Sequence, residues 1–156
     1  MCRWRSSDCA NGRPGSRSAS SRPEPPDAKS AIQAGEAEIA LVFDYGDVPV
    51  GELSLESQAL GVEPMFLIYR AGDTTDGAPI SRAWLAEQDW IAGCPDCRAH
   101  LVERCRIAGF VPRVMHESDD YVVLQSLVAH GLGVAALPRL ALTTFRHPGV
   151  EARLIR

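Results

Sequence analysis

"DDYVVLQSLVAHGLGVAALP", Asp119 to Pro138, decides how this chain folds. Two acidic residues stand first and an apolar run follows. Gly131 and Gly133 then separate that run from a short Val- and Ala-rich segment closed by Pro138. Acidic side chains suit the start of a helix, where unpaired amides and the positive end of the helix dipole lie. Gly131 supplies the left-handed residue that stops the helix, and Gly133 lets the backbone enter the next segment closely. The stretch therefore reads as helix, stop and buried strand, one joint of an α/β unit.

Working outward, the same alternation recurs. "VPRVMHES" predicts a strand, and "CRAHLVERCRIAGF" predicts a helix from about Arg98 to Ala108, stopped by Gly109, with Leu101, Val102, Cys105 and Ala108 on one side. Further upstream come a strand at Asp89 to Ala92, a short helix near Ser81 to Leu85, and an apolar strand from Pro64 to Arg70. A loop with Gly46, Pro49 and Gly51 precedes these. Before it, Glu38 to Tyr45 predicts a strand, and Asp27 to Gln33 a short helix ended by Gly35. The run Ile39 to Phe43 is continuously apolar, the pattern of a strand buried on both faces. Strands alternating with helices at this spacing predict an α/β fold with a largely parallel sheet.

Composition sets the limits. With 156 residues, 46% hydrophobic and 23% charged, the chain fits one domain with a real core. Residues 1–24 are rich in Arg, Ser and Pro and have no hydrophobic period, so a disordered basic segment is expected there. A basic arm gripping nucleic acid is the alternative, although only Trp4 interrupts the dispersed charges. Residues 1–29 carry +3 and the whole chain −4, which leaves −7 on the remainder. Such an acidic body repels a phosphate backbone. Every apolar run falls short of the roughly 20 residues a membrane helix needs, and no secretory h-region opens the chain. A cytoplasmic protein without membrane contact is expected.

Ligands of open α/β sheets bind beyond the carboxyl ends of strands, beside helix N-termini. Ser118, Asp119, Asp120 and Tyr121 lie at such a junction, and an ordinary helix cap is the plainer reading of them. Cys94 and Cys97 form a C-x-x-C at another strand-to-helix junction, where the helix dipole favours a thiolate. With His100 and Cys105 they raise a thiol redox or zinc-binding alternative. Cys105 nevertheless lies eight residues beyond Cys97, about 12 Å along a helix, which works against a shared tetrahedral zinc. No G-x-S-x-G, H-E-x-x-H or P-loop occurs. His116 and Glu117 are adjacent on a strand and point to opposite faces. His130 fits the C-terminal end of a helix, while Trp84, Trp90 and the stripe Tyr121, Val122, Leu124, Leu127 and Val128 read as packing.

Three stretches, "AIQAGEAEIALVFDY", "EPMFLIYRAG" and "WIAGCPDCRAHLVERCRIAGFVPRVMHESDDYVVLQSLVAHGLGVAALPRLAL", together resemble the effector-binding domain of LysR-type transcriptional regulators. The resemblance covers roughly Pro25 to Arg156, and "GLGVAALP" with the preceding helix and acidic turn is its most specific part. It implies a type 2 periplasmic-binding-protein-like fold, two α/β subdomains with an unknown small-molecule effector between them. It also implies a non-enzymatic function in transcription regulation with no cofactor and no metal. On this reading Ser118, Asp119 and Tyr121 face the effector, and Gly131 and Gly133 shape adjacent backbone. The chain departs from the family pattern in having no helix-turn-helix before residue 30, no first strands of subdomain one, and no final return after "VEARLIR". A truncated domain is therefore expected over residues 25–156, one subdomain nearly whole and a stub of the other. Its cleft would be incomplete, DNA would be reached only through the missing helix-turn-helix, and exposed strand edges would favour self-association.

Overall fold

A computed structural model describes residues 25–43, 45, 56, 58–74 and 79–155. The chain divides into two compact units, Met1–Leu55 and Glu56–Arg156. The expected basic segment and the loop at Gly46, Pro49 and Gly51 lie outside the described residues.

In the first unit, helix α1 spans Pro25–Gln33. Backbone bonds from Ala34 N to Ser30 O (2.9 Å) and Glu36 N to Ala31 O (2.9 Å) close its last turn before the chain runs on. The strand expected from Glu38 is not formed: residues 38–43 have no ladder partner among the described residues, and Ile39 and Leu41 are 89% and 79% exposed. An apolar run becomes a two-sided strand only when neighbours pair with it, and this one has none among the described residues.

The second unit is built on β1 (Met65–Arg70), α2 (Arg82–Glu87), β2 (Asp89–Ala92), α3 (Pro95–Ile107), β3 (Arg113–Glu117), α4 (Tyr121–Ala129), β4 (Ala135–Pro138), α5 (Arg139–Thr144) and β5 (Val150–Leu154). Strands β2 and β3 pair in parallel. One parallel bridge, Trp90 with Val134, brings β2 against the entry to β4, through Ile91 N to Val134 O (2.9 Å) and Val134 N to Asp89 O (2.8 Å). β1 lies between β4 and β5, antiparallel to both. The spatial order is thus β3-β2-β4-β1-β5, with β1 alone running against the rest. The largely parallel sheet expected from the βα alternation needs correction, because the one reversed strand sits between two others and makes both its ladders antiparallel.

Alternation along the strands divides the core in two. Leu67, Tyr69, Trp90 and Val134 face one way, where Trp84 and Leu85 of α2 and Leu101 and Cys105 of α3 cover them. Ile68, Ile91, Ala135, Leu137 and Val150 face the other way, against Leu124 and Val128 of α4 and Ala141 of α5. The result is three layers, helix on sheet on helix. The stripe expected on α3 is narrower than its sequence implied. Leu101 and Cys105 pack inward while Val102 and Ala108 are exposed, because this helix lies against only one layer. On α4, likewise, Leu124 and Val128 are buried and Leu127 packs beside them. Tyr121 and Val122, in the first turn, stand 41% and 49% exposed.

Trp90 donates its indole N–H to Leu85 O (3.1 Å), so both expected packing tryptophans sit in the same layer. Burial of these aromatic and aliphatic side chains, each worth roughly 1.5–3 kcal/mol, holds α2 and α3 to the sheet. No described helix is long and apolar enough to cross a membrane.

Candidate functional site

Two helices begin side by side at the carboxyl ends of the parallel strands β2 and β3. Ser118 N donates to Ala92 O (3.0 Å), carrying the β2–β3 pairing one residue past the end of β3 and fixing the two junctions as neighbours. After Ala92 the chain passes Gly93 and enters α3 with Cys94 as its N-cap. After Glu117 it passes Ser118 and Asp119 and enters α4 with Asp120 as its N-cap. Both helices therefore aim their first-turn amides at the same edge of the sheet.

Asp120 Oδ1 accepts from Val122 N (2.8 Å) and Val123 N (3.2 Å), which commits that carboxylate to the cap. Ser118 Oγ accepts from Asp120 N (3.3 Å) and holds the turn that leads into the cap. Ser118 is half-buried, whereas Asp119 and Tyr121 are exposed. Sequence alone left the capping oxygen open among Ser118, Asp119 and Asp120; the structure assigns it to Asp120 and leaves Ser118, Asp119 and Tyr121 around it.

Gly131 and Gly133 stand elsewhere. They follow the C-terminus of the nine-residue α4, about 13 Å along the helix from Tyr121 at 1.5 Å per residue. Their roles there are visible in the backbone. Gly131, at φ 76°, donates to Val128 O (2.9 Å), and Leu132 N donates to Leu127 O (3.1 Å), a Schellman stop. His130 is the C-cap, its Nδ1 2.7 Å from Ser126 O, in keeping with the structural role its position implied.

One charged feature of the edge escaped sequence reading. Arg98, in the first turns of α3, forms an ion pair of 2.9 Å with Glu117 at the end of β3. Nineteen positions separate the two residues, and no periodicity marks such a pair. A shallow depression of about 510 Å³ opens beside them, lined by Pro95, Arg98, Ala99, Val102, Glu103 and Glu117 on the outer side of α3. It includes none of the five residues expected to form the site. Within it, hydrogen bonds and charge from Arg106 hold the Glu103 carboxyl below its ordinary range.

The cysteines separate into two kinds. Cys94 and Cys97 are half-buried at the edge with their Sγ atoms 2.8 Å apart. Cys105 is buried under the sheet, and loss of water pushes its thiol up to about 11. Among the described residues no group of three or more His, Cys, Asp and Glu side chains is placed to hold a metal ion. The zinc alternative thus finds no third ligand among the described residues.

Comparison with known proteins bears on the whole chain. A family model described as the LysR substrate binding domain matches residues 22–156. No sequence among curated proteins matches. Solved structures resemble the chain at low identity. The C-terminal domain of a probable LysR family regulator from Rhodococcus sp. RHA1 is 21% identical with TM-score 0.61, over 84% of this chain and 64% of that one. The regulatory domain of MexT, a transcriptional activator in Pseudomonas aeruginosa, is 12% identical with TM-score 0.63, over 81% and 60%. The Synechocystis PCC6803 CcmR regulatory domain, solved in complex with 2-PG, is 17% identical with TM-score 0.65, over 81% and 61%. The chain spans less than two thirds of each of these relatives. At such identities the likeness is one of fold, a periplasmic-binding-protein-like α/β architecture. The family assignment rests on the sequence match over most of the chain: this protein belongs to the LysR substrate-binding domain family.

Proposed function

We propose that the chain senses a small-molecule effector on behalf of a LysR-type transcriptional regulator, and that the effector meets it at the carboxyl edge of β2 and β3. The observation that carries this is the convergence of two helix N-termini, α3 and α4, on one polar turn. Ser118, Asp119 and Tyr121 border that turn, and amides of the first turns favour an anionic or strongly polar group. The CcmR domain bound to 2-PG supports a small ligand on this fold. Gly131 and Gly133 take the role of shaping the backbone behind α4 rather than touching the effector. Effector closure then shifts a regulator between states in proportion to its differential affinity for them.

DNA contact falls to a separate helix-turn-helix domain in this reading, since the net −7 of residues 30–156 opposes a phosphate backbone. Self-association belongs to the same proposal. β3 is one of the two outer strands of the sheet, and Met115 on it is 57% exposed. Light scattering should show a mass above the monomer that falls on dilution; a monomer at every concentration would remove this part.

An exposed polar edge of this kind should bind weakly, with Kd of about 1 mM or above. Titration of labelled protein with small carboxylates, followed by amide NMR shifts, should move resonances of residues 93–98 and 118–123 saturably. The Ser118→Ala and Tyr121→Ala variants should each weaken binding several-fold, the loss of about one hydrogen bond. Shifts confined to the outer face of α3, or scattered without saturation, would overturn the assignment of the edge.

A further inference from the structure

We propose that Cys94 and Cys97 form a reversible dithiol–disulfide couple, closed by exchange with a low-molecular-weight disulfide. The two Sγ atoms are in hydrogen-bond contact at 2.8 Å, so little backbone movement separates the dithiol from the bonded pair. Pro95 occupies the first position of the 13-residue α3 and fixes the turn between the cysteines. Gly93 leaves space for the second one: a Cβ there would lie 3.2 Å from Cys97 Cβ and 3.4 Å from Cys97 Sγ. Both thiols are half-buried and so reachable from solvent, unlike Cys105, which lies in the core.

The roles of the two sulfurs follow from the cap. Cys94 Sγ accepts the backbone N–H of Cys97 at 3.5 Å, at the positive end of the helix, which favours negative charge on that sulfur. Cys94, having given its proton to water, attacks one sulfur of a disulfide RSSR. The Cys94–SR bond forms and RS⁻ leaves, to be protonated by water. The Cys97 thiol loses its proton and attacks Cys94 Sγ, displacing the second RS⁻. In total two thiols and one RSSR give one Cys94–Cys97 disulfide and two RSH, a two-electron oxidation of the protein. The closed bond ties the N-cap of α3 to its first turn, beside the Arg98–Glu117 ion pair. None of this depends on an effector, so its failure would leave the effector reading standing, and the reverse holds too.

The test uses the full chain, equilibrated with mixtures of oxidised and reduced glutathione, quenched in acid, alkylated and mapped by peptide mass. Mapping also distinguishes Cys2 and Cys9, which lie outside the described residues. The expected result is a peptide containing Cys94 and Cys97 that has lost two hydrogens and regains them with dithiothreitol. Cys97→Ser should trap glutathione on Cys94, and in Cys94→Ser the remaining Cys97 should react at least tenfold more slowly. Persistent glutathione adducts in the wild type without a 94–97 bond would overturn the proposal. So would a pair that stays fully alkylatable in oxidised glutathione. The wild-type map decides the matter even where a serine variant fails to fold.

Discussion

A methyl group at position 133 would lie 2.5 Å from the carbonyl oxygen of Asp89, on the backbone that forms the bridge joining β2 to the entry of β4. Gly133 also holds φ 147°, where an L side chain is strained. Backbone cannot yield as a side chain can, so Gly133→Ala should cost at least about 3 kcal/mol. At Gly131 the nearest atom to such a methyl is the end of the Arg70 guanidinium, 3.1 Å away, which can swing aside. Gly131→Ala should therefore cost only the left-handed strain, roughly 1–2 kcal/mol. Urea unfolding of both variants checks the ranking, and equal losses would show that the Asp89 contact does not govern position 133. Asp120→Ala should remove about 1 kcal/mol by freeing two amides, while Asp120→Asn should retain most of the cap.

Cys105 gives a prediction in pH. Its folded thiol is raised by burial from 9.0 to about 11, so the folded protein keeps a proton that the unfolded chain releases. That contribution is complete below pH 9 and is lost as pH rises through about 11. Relative to Cys105→Ala, the wild type should lose on the order of 2 kcal/mol across that window. Unfolding curves of the two proteins at pH 8 and pH 11 measure it, and parallel behaviour would mean that the Cys105 site admits water.

At the scale of elements, what could be read in advance had a local cause. Strand β2 is bounded by its own residues, Asp89 to Ala92, and both α3 and α4 stop on glycines, with Phe110 N bonded to Cys105 O (3.0 Å) as Leu132 N is to Leu127 O (3.1 Å). What escaped depends on distant partners. α5 has no side-chain cap of its own; Glu63 Oε1, 77 positions upstream, accepts from Leu140 N at 2.6 Å. β5, "VEARL", mixes charge with apolar residues and is a strand because β1 pairs with it, from Arg70 opposite Val150 to Phe66 opposite Leu154. The run at Ile39 to Phe43 erred in the opposite sense, since apolar content without a paired neighbour does not make a strand. Gln125 stands with Ser126 in an otherwise apolar helix, and nothing local in the sequence marks it as buried. It is fully buried, donates from Nε2 to Phe145 O (3.1 Å) and accepts from His147 N (2.9 Å), joining α4 to the turn before β5. Gln125→Leu should cost about 2–4 kcal/mol by stranding both backbone groups, a loss that Gln125→Glu at low pH should partly restore. A Gln125→Leu protein as stable as wild type would mean that water takes over both bonds.

For the whole molecule, the decisive fact is that β1 lies between β4 and β5, so the sheet closes only after the last strand is present. Tyr69 joins these parts across the sheet, its hydroxyl accepting from Arg153 Nε at 2.9 Å and its ring meeting Trp84 edge-on at 6.1 Å. Both helical layers of the second unit pack on strands of that same unit. The span 56–156 thus contains its own sheet, both its faces and their covers, the requirement for independent folding. Expressed alone, it should unfold in one cooperative transition with about 5–10 kcal/mol of stability, the range for a domain of this size. Ending the same span before β5 should abolish that transition, because Leu67 and Tyr69 then lose a partner strand on their outer edge. Chemical denaturation followed by both tryptophan fluorescence and far-ultraviolet circular dichroism decides it. Coincident transitions for 56–156, and none for the version without β5, are the expected pair. A broad or probe-dependent transition in 56–156 itself would mean that the five strands do not make a cooperative unit by themselves, and that residues before 56 take part in the core.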